Sequence, residues 1–159
     1  MAGPDNHRIV KLTLDERTVV RRSADIEHER AVAIYDLIED NRFAPVGDYL
    51  GPYHVNLGIA DNRIVLDIAD VEDRSLGKVV LPLASFRKIV KDYFAVCESY
   101  YAAIKTSSPS QIEAIDMGRR GLHNEGSELL IERLAGKIDI DFATGRRLFT
   151  LLCVLHIRG

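Results

Sequence analysis

The hydrophobic period of this 159-residue chain changes near Ser85, and that change restricts the folds open to it. Before Ser85, most apolar residues alternate with polar ones, a period of two that is typical of half-buried strands. After Ser85, apolar residues recur every three or four positions, the period of an amphipathic helix. Strands that come first and helices that follow predict an α+β fold, in which the helices pack on one face of a sheet.

Four strand segments carry the period of two. The first lies at residues 8–14, and three more follow in succession at residues 53–59, 64–68 and 79–83. Asp61-Asn62, between the second and third segments, favours a tight turn. We therefore expect three consecutive antiparallel strands with the first strand as a fourth partner, which makes a four-stranded, mostly antiparallel sheet.

About four helices complete the expected fold. The first begins at Ser23 or Asp25, either of which can cap it, and ends near Asn41. The other three are expected at residues 86–104, 109–134 and 142–156. The last helix is apolar around most of its axis, which predicts a central, buried position. We expect one domain over residues 1–159, with residues 1–7 as a frayed end.

Local signals mark the ends of the last two helices. Ser108 can cap the earlier one, and Pro109 suits its first helical position. Gly136 can close that helix, and Asp141 can cap the next.

Composition excludes several classes of protein. The net charge of −3 argues against non-specific binding to nucleic acid, and no apolar run approaches the ~20 residues of a membrane span. Because the N-terminus also lacks the apolar core of a signal peptide, we expect a cytoplasmic protein. Cys97 and Cys153 lie in apolar helical stretches and are interpreted as buried thiols. Neither belongs to a cluster of several His and Cys residues at metal-ligand spacing, and no phosphate-binding glycine loop is present, so we predict no metal and no cofactor.

Several charged residues fall where the helical period calls for apolar ones. Arg119 projects from the middle of the apolar arc of the third helix, and His123 from its edge one turn later. Glu27 and Arg30 fall within the apolar arc of the first helix. We hypothesise that these four side chains form a polar cluster, buried between helices or at a subunit interface. The cluster is a structural ion-pair network, a ligand or catalytic pocket, or a surface for a partner.

The same stretch of the third helix is rich in glycine. Gly118, Gly121 and Gly126 each cost about 1 kcal/mol relative to alanine inside a helix. Either the helix is interrupted there, or another backbone packs very close to it. Four residues follow one another at i, i+4 spacing along the neighbouring polar face, namely Asp116, Arg120, Asn124 and Glu128.

Two other histidines are interpreted as non-functional. His54 lies on the polar side of a predicted strand and is expected to be solvated. His156 lies near the end of the last helix, where a cation suits the helix dipole, and we expect a structural role.

Four long stretches of the sequence resemble the uncharacterised protein family 0262, which is found in alphaproteobacteria. They lie at residues 21–37, 86–94, 111–130 and 146–159, and the resemblance as a whole runs from about Ile9 to Gly159. The resemblance implies a bacterial, cytoplasmic setting. It implies no activity, cofactor or partner, so no functional residue is carried over from the family.

The leading functional expectation is a non-catalytic regulatory or protein-interaction module that forms a homodimer. Its interface would be the aromatic second helix or the glycine-rich third helix. The alternative is a small-ligand binder or enzyme acting on an anionic substrate. There Arg119 or Arg120 would grip a phosphate or carboxylate, His123 would move protons, and Glu27 or Glu128 would orient His123.

The candidate ligand-binding residues also include Arg30, Asp116 and Asn124. A third alternative, an RNA or ribosome partner, depends on the pairs Arg119-Arg120 and Arg146-Arg147. These pairs are short and lack flanking lysines, so nucleic acid is the least favoured partner.

Overall fold

A computed structural model describes residues 6–15 and 24–155, with the side chains of the second range given from Glu27 onward. The chain order is β1 (Ile9–Leu14), α1 (Ala24–Glu39), β2 (Phe43–Pro45), β3 (Tyr53–Ala60), β4 (Arg63–Ala69), β5 (Ser75–Pro82), α2 (Ala84–Thr106), α3 (Pro109–Leu134), β6 (Ile138–Ile140) and α4 (Phe142–Leu155). The α+β class, the four-stranded sheet and the four helices are confirmed. No helix in these ranges is long and apolar enough to cross a membrane.

The main sheet has the strand order β1-β3-β4-β5. The pairs β3–β4 and β4–β5 are antiparallel, whereas β1 runs parallel to β3, since α1 returns the chain between them. Asp61 and Asn62 join β3 to β4 with φ angles of 53° and 62°, which confirms the predicted tight turn. A second, two-stranded sheet of β2 and β6 was not expected, because strands of three residues are too short to show a period.

Helix ends agree with the capping signals in the sequence. The Ser108 hydroxyl accepts a hydrogen bond from the Gln111 amide at 3.3 Å, and the Gln111 side chain accepts one from the Ser108 amide at 3.2 Å. Gly136 follows the end of α3 with a φ of 85°, and Asp141 caps α4 by accepting from the Thr144 amide at 2.9 Å. These contacts fix where the two helices that carry the site begin and end.

Three of the predicted helix-end residues fall wholly or partly beyond the described part of the chain. Ser23 and His156 lie outside the described residues, and so does the side chain of Asp25. We expected residues 1–7 to be a frayed end, and this is wrong for His7. The His7 carbonyl accepts a hydrogen bond from the Phe43 amide at 2.8 Å, so the chain is already held there.

Helix α4 occupies the centre of the helical layer, as its apolar sequence predicts. It packs against α1 on one side, against α3 on the other, and against β3 of the sheet. Most of its side chains are buried, and Phe149 is among the largest that are fully so. Helices α1 and α3 therefore flank the same central helix, and a groove is left between them over α4.

The glycine-rich helix α3 is continuous, and only one of its three glycines is needed for close packing. A Cβ on Gly126 would overlap the ring of buried Phe149 from α4. Nothing lies within 4 Å of the Cβ position at Gly118 or Gly121. The expected close approach is thus made by an aromatic ring, not by a backbone. A glycine of α4 contributes as well, because a Cβ on Gly145 would lie 2.9 Å from Ile131 Cδ1.

Alanine substitution at two of these glycines is expected to have opposite effects. Gly121→Ala removes a flexible residue from an exposed helical position, so we expect an unfolding free energy higher by about 0.5–1 kcal/mol. Gly126→Ala forces the Phe149 ring to shift, so we expect a loss of about 1–3 kcal/mol. Urea unfolding of both variants measures the difference. If both substitutions raise the unfolding free energy, or both lower it, the packing described for α3 is contradicted.

Candidate functional site

A cavity of about 600 Å³ lies in the groove over α4, between α1 and α3, with two tyrosines of α2 also on its lining. Most of its residues come from one face of each helix: positions 28, 29, 32, 33 and 36 of α1, positions 119, 120 and 123 of α3, and positions 143, 146, 147 and 150 of α4. Each set follows the i, i+3, i+4 spacing of a single helical face. Of the residues that the structure describes, six charged side chains line the cavity: Glu29, Asp36, Arg119, Arg120, Arg146 and Arg147.

The two arginines of α3 share one carboxylate. Arg119 donates to Asp116 Oδ1 from Nε at 3.1 Å and from NH2 at 2.6 Å, while Arg120 Nε lies 3.2 Å from Asp116 Oδ2. The Arg119 guanidinium also lies over the Tyr100 ring, 4.8 Å from its centroid. A single negative charge thus fixes two positive ones, and both guanidinium groups keep further N–H donors.

The two arginines of α4 are held by neutral oxygens. Arg146 NH1 donates to the Asn124 side-chain oxygen, and Arg147 NH1 donates to the Asp40 carbonyl at 2.9 Å. In the described ranges neither forms an ion pair. Among the described residues, therefore, no contacting carboxylate neutralises their positive charges, unlike those of α3.

His123 forms hydrogen bonds at the bottom of the cavity. Its Nε2 lies 2.7 Å from Thr150 Oγ1, and that hydroxyl lies 3.1 Å from the Arg146 carbonyl, to which it donates. Ser127 Oγ donates to the His123 carbonyl at 2.7 Å and lies 3.5 Å from Nδ1. Because the Thr150 hydrogen is directed to the carbonyl, we infer that Nε2 carries the imidazole hydrogen.

The surroundings of His123 keep its ring neutral. It makes edge contacts with the rings of Tyr93 and Phe149, at centroid distances of 5.3 and 5.2 Å. Burial lowers the pKa of His123 to about 4, and the positive charges of Arg146 and Arg119 act in the same direction. At neutral pH this residue offers hydrogen bonds without a charge.

The acidic wall of the cavity differs from the one predicted. Glu27 is exposed and neither Glu27 nor Arg30 lines the cavity, so Glu27 is not buried between the helices of one chain. A cluster of these residues at a subunit interface stays a prediction. Glu29 takes the predicted place, one turn before buried Ala33. Burial raises the pKa of the Glu29 carboxyl, with Arg119 opposing the effect. The signal in the sequence is the spacing of Glu29, Ala33 and Leu37, which share one helical face.

The remaining candidates of α3 divide into two groups. Asp116 and Asn124 hold the arginines and are not on the lining themselves. Glu128 is exposed and lies outside the cavity. The structure thus brings together Arg119, Arg120 and His123, with the first two anchored by Asp116.

The second candidate histidine, His54, lies on the far face of the sheet. It borders a smaller hollow of about 330 Å³ together with Lys11 and Asn56. Its Nδ1 lies 2.7 Å from Asp73 Oδ1 and its side chain is 19% exposed. This histidine thus lies on the polar side of its strand, as expected, but it is paired with a carboxylate and only partly exposed to solvent. Asp73 adopts a positive φ of 62° in the loop after β4, a placement that the sequence pattern does not encode.

In the part of the chain that the structure describes, no group of three or more His, Cys, Asp or Glu side chains lies close enough to hold a metal ion. Cys153 is buried and Cys97 half-buried, and both are free thiols. Burial raises the pKa of both, so neither is an activated thiolate.

Comparisons with known proteins identify relatives along nearly the whole chain. The model of the uncharacterised protein family UPF0262 matches residues 6–158. UPF0262 proteins of Paramagnetospirillum magneticum and Azorhizobium caulinodans are 62% and 60% identical, and each alignment covers 98% of this chain and 98–99% of the relative. One of Rhodospirillum rubrum is 59% identical over 98% of this chain and 96% of its own length. No solved structure matches. The chain belongs to UPF0262, a family of uncharacterised proteins with members in alphaproteobacteria.

Proposed function

We propose that this protein binds a small anionic molecule, one that carries a phosphate or carboxylate group, in the cavity over α4. The observation that carries the proposal is the state of Arg146 and Arg147. Both line a water-accessible cavity, and both are held only by neutral oxygens among the described residues. Two guanidinium groups that are positioned but not neutralised favour an anion as the missing partner.

The size and construction of the cavity support a small ligand. Its volume of about 600 Å³ falls within the ~300–1,000 Å³ typical of ligand sites. Arg119 is fixed in advance by Asp116 and by the Tyr100 ring, and Arg147 by the Asp40 carbonyl. Side chains that are already ordered lose less conformational entropy when a ligand binds.

His123 is proposed to position the ligand and not to react with it. Its Nε2 hydrogen is used by Thr150, and the pKa of the imidazole lies well below neutral pH. The neutral imidazole ring lines the cavity beside four arginines. It therefore helps to define the shape of the binding site without adding a positive charge. This favours binding without a chemical step, and hence a regulatory module over an enzyme.

The remaining expectations stay proposals. A homodimer or another protein partner would use the exposed apolar side chains of α2 and α3, which include Tyr101, Ile104 and Met117. Cytoplasmic location and the absence of nucleic-acid binding likewise stay predictions from the sequence.

Anion binding is expected to raise the thermal stability of the wild-type protein. A panel of inorganic phosphate, pyrophosphate and citrate, compared with chloride at equal ionic strength, should contain at least one stabilising anion. At 100 times its Kd, a ligand adds about 2.7 kcal/mol to the unfolding free energy. Arg147→Gln removes one charged donor, so we expect its Kd for that anion to rise about tenfold.

Arg133→Gln is the matched control, since it makes the same change at an exposed position of α3 outside the cavity. Its Kd should equal that of the wild type. Anion binding would be refuted by a flat thermal profile across the panel. An equal loss in Arg133→Gln would show that the anions screen surface charge instead.

A further inference from the structure

The charges on the cavity lining are divided between its walls. All four arginines come from α3 and α4, whereas both carboxylates, Glu29 and Asp36, come from α1. Opposite charges on facing helices would ordinarily close into ion pairs wherever the side chains meet. Within residues 27–155, however, no ion pair joins Asp36 or Glu29 to an arginine of the cavity.

Asp36 is the carboxylate of the α1 wall whose charge lacks a contacting cation among the described residues. Its side chain is half-buried on α1, and in the described ranges its carboxylate has no hydrogen-bond or ion-pair partner. Its position on the lining is one turn after Val32, which is 43% exposed. A carboxylate in such a place is most stable when a cation or several hydrogen-bond donors face it.

Glu29 adds a second carboxyl group on the same wall, about two helical turns before Asp36. Burial disfavours its ionised form, and Arg119 compensates for this only in part. A positive charge brought into the cavity would further stabilise the ionised form of Glu29. The wall of α1 is therefore complementary to a cation, just as the wall of α4 is complementary to an anion.

We propose that the ligand is a zwitterion, a small molecule whose anionic group is bound by Arg146 and Arg147 and whose ammonium group is bound by Asp36 and Glu29. This inference rests on the proposed function and narrows its ligand class to amine-bearing phosphates or carboxylates. An ammonium group donates three hydrogen bonds, which suits a wall that offers two carboxyl groups as acceptors. The two walls then act as an anion subsite and an ammonium subsite in one cavity.

Two pairs of probes separate the contribution of the amine from that of the anion. O-phosphoethanolamine is compared with propyl phosphate, and γ-aminobutyrate with pentanoate. In each pair a methyl group replaces the ammonium while the chain length is kept. Isothermal titration should show at least tenfold tighter binding of the aminated member in at least one pair.

Variants of α1 connect that preference to the acidic wall. Asp36→Asn should raise the Kd of the aminated probe about tenfold and leave the Kd of its methyl analogue unchanged. Glu29→Gln is a second, independent variant with the same expected direction. Glu39→Gln, which lies on α1 outside the cavity, is the matched control and should change neither Kd.

The outcomes distinguish this inference from the proposed function. If both members of each pair bind with equal affinity, or if Asp36→Asn weakens both equally, the zwitterion proposal is overturned while anion binding stands. If none of the four probes binds and the anion panel above is also silent, both proposals fail. Tighter binding of an aminated probe that depends on Asp36 supports them together.

Discussion

Replacing Phe149 by alanine is expected to lower the unfolding free energy by about 3–5 kcal/mol, the range for a large aromatic residue removed from a core. The Phe149 ring is fully buried and lies at the junction of three helices. It contacts the rings of Tyr93 from α2 and His123 from α3, with centroid distances of 6.2 and 5.2 Å, and it covers Gly126. The truncation would leave a cavity that these neighbours fill only in part.

Phe142→Ala is the matched control on the same helix. Its side chain is 42% exposed and lies under the Arg146 guanidinium, so it buries much less apolar area. We expect a loss below about 1 kcal/mol there. Chemical denaturation of the two variants gives both values. Similar losses at the two positions would contradict the placement of α4 at the centre of the helical layer.

Acidification from pH 7 to pH 4 is expected to cost about 3 kcal/mol of stability through His123 alone. The pKa of this histidine is about 4 in the folded protein, against 6.5 for a free side chain. Between these two values the unfolded chain binds more protons than the folded one, so acid favours unfolding. The contribution of His123 is therefore complete above pH 6.5 and is lost as the pH falls towards 4.

Other groups affect the pH profile differently. The raised pKa of Glu29 gives its contribution the opposite sign, and the lowered pKa values of Asp70 and Asp73 act mainly below pH 4. His123 is isolated by comparing the wild type with His123→Gln in urea titrations from pH 7 to pH 4. The difference in unfolding free energy between the two should shrink by about 3 kcal/mol across that range. A constant difference would mean that His123 titrates normally in the fold.

The order of strands and helices could be predicted because each long element repeats its period several times. The central position of α4 follows from apolar side chains on most of its circumference. The sheet of β2 and β6 could not be predicted, since its pairing joins two three-residue segments that are distant in the chain. The parallel pairing of β1 with β3 depends on where α1 packs, which a one-dimensional pattern does not specify.

The sequence pattern singles out the cavity-lining residues of α3 but not those of α1. Arg119 and His123 stand out because a charged and a polar side chain interrupt one apolar arc. On α1 the isoleucines suggest an arc that includes Glu27, whereas the buried residues of the described helix centre on Ala33 and Leu37. That rotation of the helix brings Glu29 to the cavity instead. Sequence alone does not set it, because alanine contributes little to the apolar pattern of a helix.

The most direct measurement of anion binding is an NMR titration that observes the side-chain Nε–Hε signals of the arginines. The anion that most raises the melting temperature is added to ¹⁵N-labelled protein at constant ionic strength. The account predicts saturable shifts at Arg146 and Arg147, with smaller ones at Arg119 and Arg120. Shifts confined to the backbone around Lys11 and His54, on the opposite face of the sheet, or no saturable shift at any arginine, would contradict it.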